Sequence, residues 1–125
     1  MDGDKPRHIG NLPYQAINKA LSLNLQHDTV YLSEKAIHHI WERHPNDYHV
    51  CMEAIEVIVS TPDFTGQSPL HPDNFILIKQ VQELMLLAAI SVLPDEHGDY
   101  PVQSSYTIDN NALHHRLRKG FLKRI

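Results

Sequence analysis

The sequence predicts an α+β domain: N-terminal helices packed on a roughly four-stranded antiparallel sheet, with a further helix at the C-terminus. Three observations carry this expectation. Between Ser33 and Ser60 the apolar residues recur at helical spacing, and between Asp63 and Ile108 the runs become strand-like. After Ile108 a capping cluster reopens a helical pattern. Helices first and a meander of strands afterwards place the helices on one side of the sheet. A chain of 125 residues has room for one such domain with a real core.

Residues 1–20 read as an N-terminal arm or short helix, turn-rich up to Pro13 and helical from Tyr14 to Ala20. Residues 21–125 read as one domain. Leu21, Leu23 and Leu25 alternate with Ser22, Asn24 and Gln26, as in a half-buried strand, and Thr29 to Leu32 is a second extended piece. Ser33 caps the first main helix, because serine accepts from orphan first-turn amides. Ala36, Ile37, Ile40 and Trp41 form its apolar stripe. Pro45 disfavours helical backbone at His44 and ends it there. Asn46 or Asp47 caps the next helix, whose stripe is Tyr48, Cys51, Met52, Ile55, Ile58 and Val59. His49, Glu53 and Glu56 face water, and Thr61-Pro62-Asp63 stops the helix.

Asp63 to Ser68 reads as a short strand and Phe75 to Lys79 as a strand dense in β-formers. A tight turn at Gln82-Glu83 leads into Leu84 to Leu93, an apolar run suited to a central strand. Pro94 to Asp99 is a turn cluster. Strand alternation over Tyr100 to Ile108 then puts Val102, Ser104, Tyr106 and Ile108 on one face, with Gln103, Ser105 and Thr107 on the other. Asp109, Asn110 or Asn111 caps the last helix, and Gly120 closes it.

Composition narrows the function classes. Apolar residues make up 42% and charged residues 21%, the mixture of an ordinary soluble protein. No apolar run is long enough to span a bilayer, and the start lacks the basic-then-apolar order of a secretory signal. Cytoplasmic residence is the default, which leaves open delivery into another cell by a route without such a signal. Cys51 is the sole cysteine, so no intramolecular disulfide forms and a cysteine metal site is disfavoured. Net charge is −4, but from His114 to Ile125 there are five cations and no acid, which leaves −9 on the remainder. Such a tail suits phosphates or an acidic partner, and equally the solvated face of a last helix.

Five polar features stand out: His44, Lys79, the Ser104-Ser105-Tyr106 stretch, the His114-His115 pair and the basic tail. His44 extends the core-facing stripe at a helix C-terminus that favours a protonated ring. It is either a half-buried cap or a general acid or base. Lys79 interrupts an apolar strand, where it either reaches water or stabilises a phosphate. Ser104 and Tyr106 either bond the backbone or orient a phosphate. Ten histidines raise the question of a metal. However, His38-His39 and His114-His115 are adjacent pairs, which diverge by about 100° on a helix and make no natural chelate. There is no HExxH, CxxC, Walker loop or nucleophile elbow. No metal or cofactor is expected.

The order of features resembles the small phage and polymorphic-toxin nucleases of the barnase–EndoU–colicin E5/D–RelE group. The residues that carry the resemblance are Glu42-Arg43-His44-Pro45, Ser60-Thr61-Pro62-Asp63, the strand from Phe75 to Lys79 and Val102-Gln103-Ser104-Ser105-Tyr106, within roughly Tyr31 to Lys119. The resemblance implies a metal-independent endoribonuclease of toxin type acting on RNA, tRNA included, with a cognate antitoxin or immunity protein as partner and no membrane. It implies that His44 is the general acid or base, Ser104 the hydroxyl of the last strand and Tyr106 the aromatic two positions on. Lys79 would face the scissile phosphate, and Arg116, Arg118 and Lys119 would hold RNA. Attack of the ribose 2′-hydroxyl would leave a 2′,3′-cyclic phosphate. The competing expectation is a non-catalytic regulatory module that lays its basic C-terminal helix on an acidic partner.

Overall fold

A computed structural model describes residues 5–125, so the first four residues of the expected arm lie outside it. The chain runs β1 (Arg7–Ile9), α1 (Tyr14–Leu21), β2 (Val30–Leu32), α2 (Glu34–Arg43), α3 (Tyr48–Ser60) and β3 (Phe64–Gly66). It continues through β4 (Asn74–Val81), β5 (Leu84–Ser91), β6 (Tyr100–Ile108), α4 (Asn110–Arg118) and β7 (Leu122–Arg124). The strands form one seven-stranded sheet in the order β1-β2-β6-β5-β4-β3-β7. β2 runs parallel to β6, and the remaining pairings among the described residues are antiparallel.

Local chemistry accounts for the helix limits. Ser33 Oγ accepts from the Ala36 amide at 3.0 Å, and Asp109 Oδ1 accepts from Ala112 at 2.7 Å. α2 stops at Arg43, with His44 as its cap ahead of Pro45. Gly120, at φ 78°, follows α4 in the left-handed conformation that costs glycine least.

Both faces of the sheet are covered. Phe75, Leu77, Leu86, Ala88 and Ile90 enter the main core with Ile17 of α1, Ile37 and Ile40 of α2, and the buried stripe of α3. The alternate residues Ile78, Met85 and Leu87 meet Phe64, Leu113 of α4 and Leu122 in a second core. Burial on two faces is why β5 reads as a continuous apolar run. Each large side chain fully buried there contributes about 1.5–3 kcal/mol.

The structure corrects the expected architecture in several places. The four expected strands correspond to β3 to β6, but β2 and β1 extend the sheet beyond β6 and β7 extends it beyond β3. β2 falls in the extended piece expected over Thr29 to Leu32, whereas β1 and β7 have three residues each, too few for a period of two to show in a sequence. α4 lies on the face opposite α3, so the helices are not all on one side. Residues from Arg7 onward are built in: Ile9, Leu12 and Ile17 are buried, and Arg7 Nη2 donates to the Met52 carbonyl of α3 at 3.1 Å. Leu21 to Leu25 form no strand. The Asn18 side-chain amide instead satisfies both backbone groups of Leu25, at 2.9 and 2.8 Å. Trp41 leaves the core at 39% exposure, its ring edge-on to Tyr48.

One correction reaches the site. Val102 pairs with Ile90 while Ser104 pairs with Ala89, so β6 carries one extra residue at Gln103. This bulge reverses the alternation. Val102 and Ser105 enter the main core side, while Ser104, Tyr106 and Ile108 turn to the opposite face. The expected grouping of Val102 with Ser104 therefore fails.

Candidate active site

The face to which the bulge turns Ser104 and Tyr106 is only partly covered by α4. Between α4 and α2 it opens as a cleft of about 800 Å³. Ile76, Ala89, Ser104 and Tyr106 belong to its sheet side. Lys35, Ala36 and His39 line it from α2, and His115 and Arg116 from α4, with Phe121 beyond. Ser68, Leu70 and His71 contribute from the loop between β3 and β4. Phe121 comes close because Gly66 has no side chain: a Cβ there would collide with the Phe121 carbonyl oxygen.

The electrostatic character of this lining is opposite to that of the chain. Net charge is −4 overall, yet among the described residues the cleft is lined by Lys35, Arg116 and three imidazoles, with no carboxylate. None of these five side chains is engaged in an ion pair or hydrogen bond with another described residue. Elsewhere Arg7 pairs with Glu56 and Lys79 with Asp63. A concave surface with two uncommitted cations and no carboxylate attracts an anion. Ser104 Oγ is hidden from solvent and has no hydrogen-bond partner among the described residues. A buried hydroxyl of this kind costs stability until something bonds it.

His44 stands behind Tyr106. The two rings stack with centroids 4.6 Å apart and planes 26° from parallel. Asp47 fixes this arrangement. Although it stands at the cap position of α3, its carboxylate makes no capping bond and Oδ2 accepts from the Thr107 amide at 3.1 Å. The Asp47 amide in turn donates to the His44 carbonyl at 3.1 Å. The turn between α2 and α3 is thereby fastened to the end of β6, next to Tyr106. On the other side of β6, Ser105 Oγ donates to the Leu87 carbonyl at 2.7 Å and also bonds the Cys51 thiol. Burial pushes the Cys51 thiol above its ordinary value; the Asp47 charge adds to this and the bond with Ser105 opposes it.

The structure thus brings Ser104, Tyr106 and Arg116 into the cleft, with His44 against Tyr106. It does not bring Lys79 there. Ile76 lines the cleft, and three positions later Lys79 shares the α3 side of β4 with Phe75 and Leu77. Its Nζ lies 3.4 Å from Asp63 Oδ1. Arg118 and Lys119 are exposed at the end of α4, outside the lining. Sequence reasoning missed Lys35, His39 and His71. The first two stand four apart on α2, one turn along the same face, and that spacing was the available signal. Of the His114-His115 pair only His115 enters the cleft, beside Arg116; His114 lies outside the lining.

Among the described residues, no group of three or more His, Cys, Asp and Glu side chains is placed to hold a metal ion. Nor is any helix among them long and apolar enough to cross a membrane. Neither the curated proteins nor the solved structures compared with the chain match it. The family model for phage-Barnase-EndoU-ColicinE5/D-RelE like nuclease3 does match, over residues 7–115, which takes in both cleft walls up to His115 and leaves Arg116 just outside. By a match over most of its length, the chain belongs to this nuclease family.

Proposed function

We propose that the protein is an endoribonuclease that cleaves in this cleft by attack of the ribose 2′-hydroxyl, with no metal in the reaction. The observation that carries the reading is the lining itself: imidazoles on both walls, two permanent cations and no carboxylate, in an acidic chain. The O2′–P bond forms as the P–O5′ bond breaks, leaving a 2′,3′-cyclic phosphate and a 5′-hydroxyl. His39 and His115 face the cleft from α2 and α4, and one takes the 2′ proton while the other delivers a proton to the leaving O5′. Arg116 and Lys35 stabilise the phosphorane, for which preorganised cations are the effective device. Ser104 Oγ, otherwise hidden from solvent, turns outward to bond a phosphate oxygen when substrate binds, which satisfies its unpartnered hydroxyl. Arg118 and Lys119 meet phosphates beyond the cleft.

In this reading His44 is a positioning residue that acts through Tyr106, and proton transfer passes from it to His39 and His115. Lys79 has no part. RNA cleavage at neutral pH in excess EDTA, with the ends analysed for cyclic phosphate, is the test. His39→Ala and His115→Ala each lower the rate by about 10²-fold or more, the scale of general acid–base catalysis. His44→Phe, which keeps a ring on Tyr106, retains most activity, whereas His44→Ala loses it. Loss in His44→Phe with full activity in His39→Ala and His115→Ala would return the proton transfer to His44. No cleavage by folded wild-type protein would overturn the catalytic reading.

A further inference from the structure

The cleft does not end at the residues that enclose it. Ala36 and His39 line it, and Arg43 follows seven and four residues later on α2. Seven residues bring a helix back to within about 20° of the same direction, so Arg43 projects on the side of Ala36 and His39. Glu42, its neighbour, is turned away by about 100°. Arg43 is exposed and engaged in no ion pair or hydrogen bond through its side chain with the described residues. It also sits at the cleft's Tyr106 end, because the next residue, His44, stacks on Tyr106. From Lys35 to Arg43 the helix rises about 12 Å, more than one step between phosphates of an extended strand.

We propose that Arg43 is a nucleic-acid-binding residue outside the cleft, so that the protein grips a single strand of several nucleotides laid along α2 from Lys35 past His39 to Arg43. The inference rests on the ribonuclease reading and deepens it by stating the length and path of the substrate. Lys35, His39 and Arg43 form an i, i+4, i+8 row along one wall. The opposite wall supplies Arg116. The guanidinium suits the outer position, since its planar fork engages a phosphate in two bonds. A row of this kind reads the backbone and not the bases, so it sets affinity and salt dependence and leaves base preference to the cleft.

Binding of 2′-O-methyl oligonucleotides tests the proposal, because the blocked 2′-hydroxyl prevents cleavage. A dinucleotide fits the cleft alone, whereas a hexanucleotide also reaches the end of α2. Arg43→Gln binds the hexanucleotide roughly tenfold more weakly than wild type and the dinucleotide equally well. Its log–log salt slope for the hexanucleotide falls by about 0.7, one phosphate contact on a single strand. Arg43→Lys recovers the slope and part of the affinity. Thermal melts establish that both variants are folded. If Arg43→Gln binds both oligonucleotides as wild type does, the proposal fails and the cleft stands. Equal weakening for both lengths also overturns it, since Arg43 would then act inside the cleft or on its shape. If wild type binds neither, the ribonuclease reading falls and this inference with it.

Discussion

Replacing Asp47 by alanine tests the link between the fold and the proposed site. The carboxylate accepts from the half-buried Thr107 amide at 3.1 Å, across 60 positions of sequence, and makes no capping bond to its own helix. A hydrogen bond to a charged group contributes about 1.5–3 kcal/mol, and partial exposure places this one toward the lower half, about 2 kcal/mol. For a domain of this size 1 kcal/mol corresponds to about 4 °C, so Asp47→Ala lowers Tm by about 8 °C. Asp47→Asn keeps an acceptor and loses only the charge, and it falls by about half as much. The functional consequence is separable from the loss of stability. Freed from Asp47, the end of β6 lets Tyr106 move off His44, so that the rate falls more than substrate binding when both are measured well below Tm. Calorimetry and single-turnover cleavage on the two variants provide the readout. An Asp47→Ala protein melting within about 2 °C of wild type would refute the view that this carboxylate clamps the site.

Two further predictions concern residues outside the cleft. Lys79→Met leaves cleavage within about twofold and changes stability by less than about 1 kcal/mol, since the pair with Asp63 is partly solvated. Asp63→Ala costs more, because Asp63 Oδ2 also accepts from the Gln80 amide at 2.8 Å, and a rate lost in Lys79→Met would place that lysine at the phosphate after all. Cys51, buried with its thiol held above the ordinary value, resists alkylation by iodoacetamide in the native protein at pH 8 and reacts fully once unfolded. Because the folded value is raised, its contribution to stability is complete below the unfolded value and is lost as pH rises through the folded one. Urea midpoints accordingly fall on the alkaline side, and less steeply in Cys51→Ala. Alkylation of native protein as fast as a free thiol would contradict the burial.

The sequence made the long, strongly patterned elements legible, together with the short strands β2 and β3, and concealed β1 and β7. The α3 stripe from Tyr48 to Val59 lies in the core as its spacing requires, and Ser33, Pro45 and Asp109 mark helix limits by their own chemistry. β1 and β7 are fixed by pairing with strands elsewhere in the chain and so leave no local period. The bulge at Gln103 is equally silent, yet it decides that Ser104 faces the cleft while Val102 faces the core. Part of the cleft lining was legible for chemical reasons: Ser104 and Tyr106 are polar groups on a strand face shared with Ile108, and Arg116 belongs to a basic run. Lys35, His39 and His71 look like ordinary surface residues until the third dimension brings α2 and the loop after β3 against the same face of the sheet.

The acidity of the chain, which at first argues against a polyanionic substrate, is consistent with one once charge is assigned to place. At physiological salt, exposed charges are screened beyond about 8 Å, so a strand of RNA in the cleft responds to its lining and little to the remote carboxylates. Two of the acids nearest the argument are engaged with backbone amides, Asp47 on Thr107 and Asp63 on Gln80. The carboxylates away from the cleft oppose binding there, since negative charge repels phosphates. A basic nuclease gains affinity over its whole surface and must tolerate unproductive complexes. Here the attractive region is the lining that holds the imidazoles, extended by Arg43 along α2 and by Arg118 and Lys119 at the end of α4, so encounter and productive orientation are set by neighbouring residues. The expected signature is a weak binder whose affinity is concentrated in few contacts, with a shallow salt slope that reports only those phosphates.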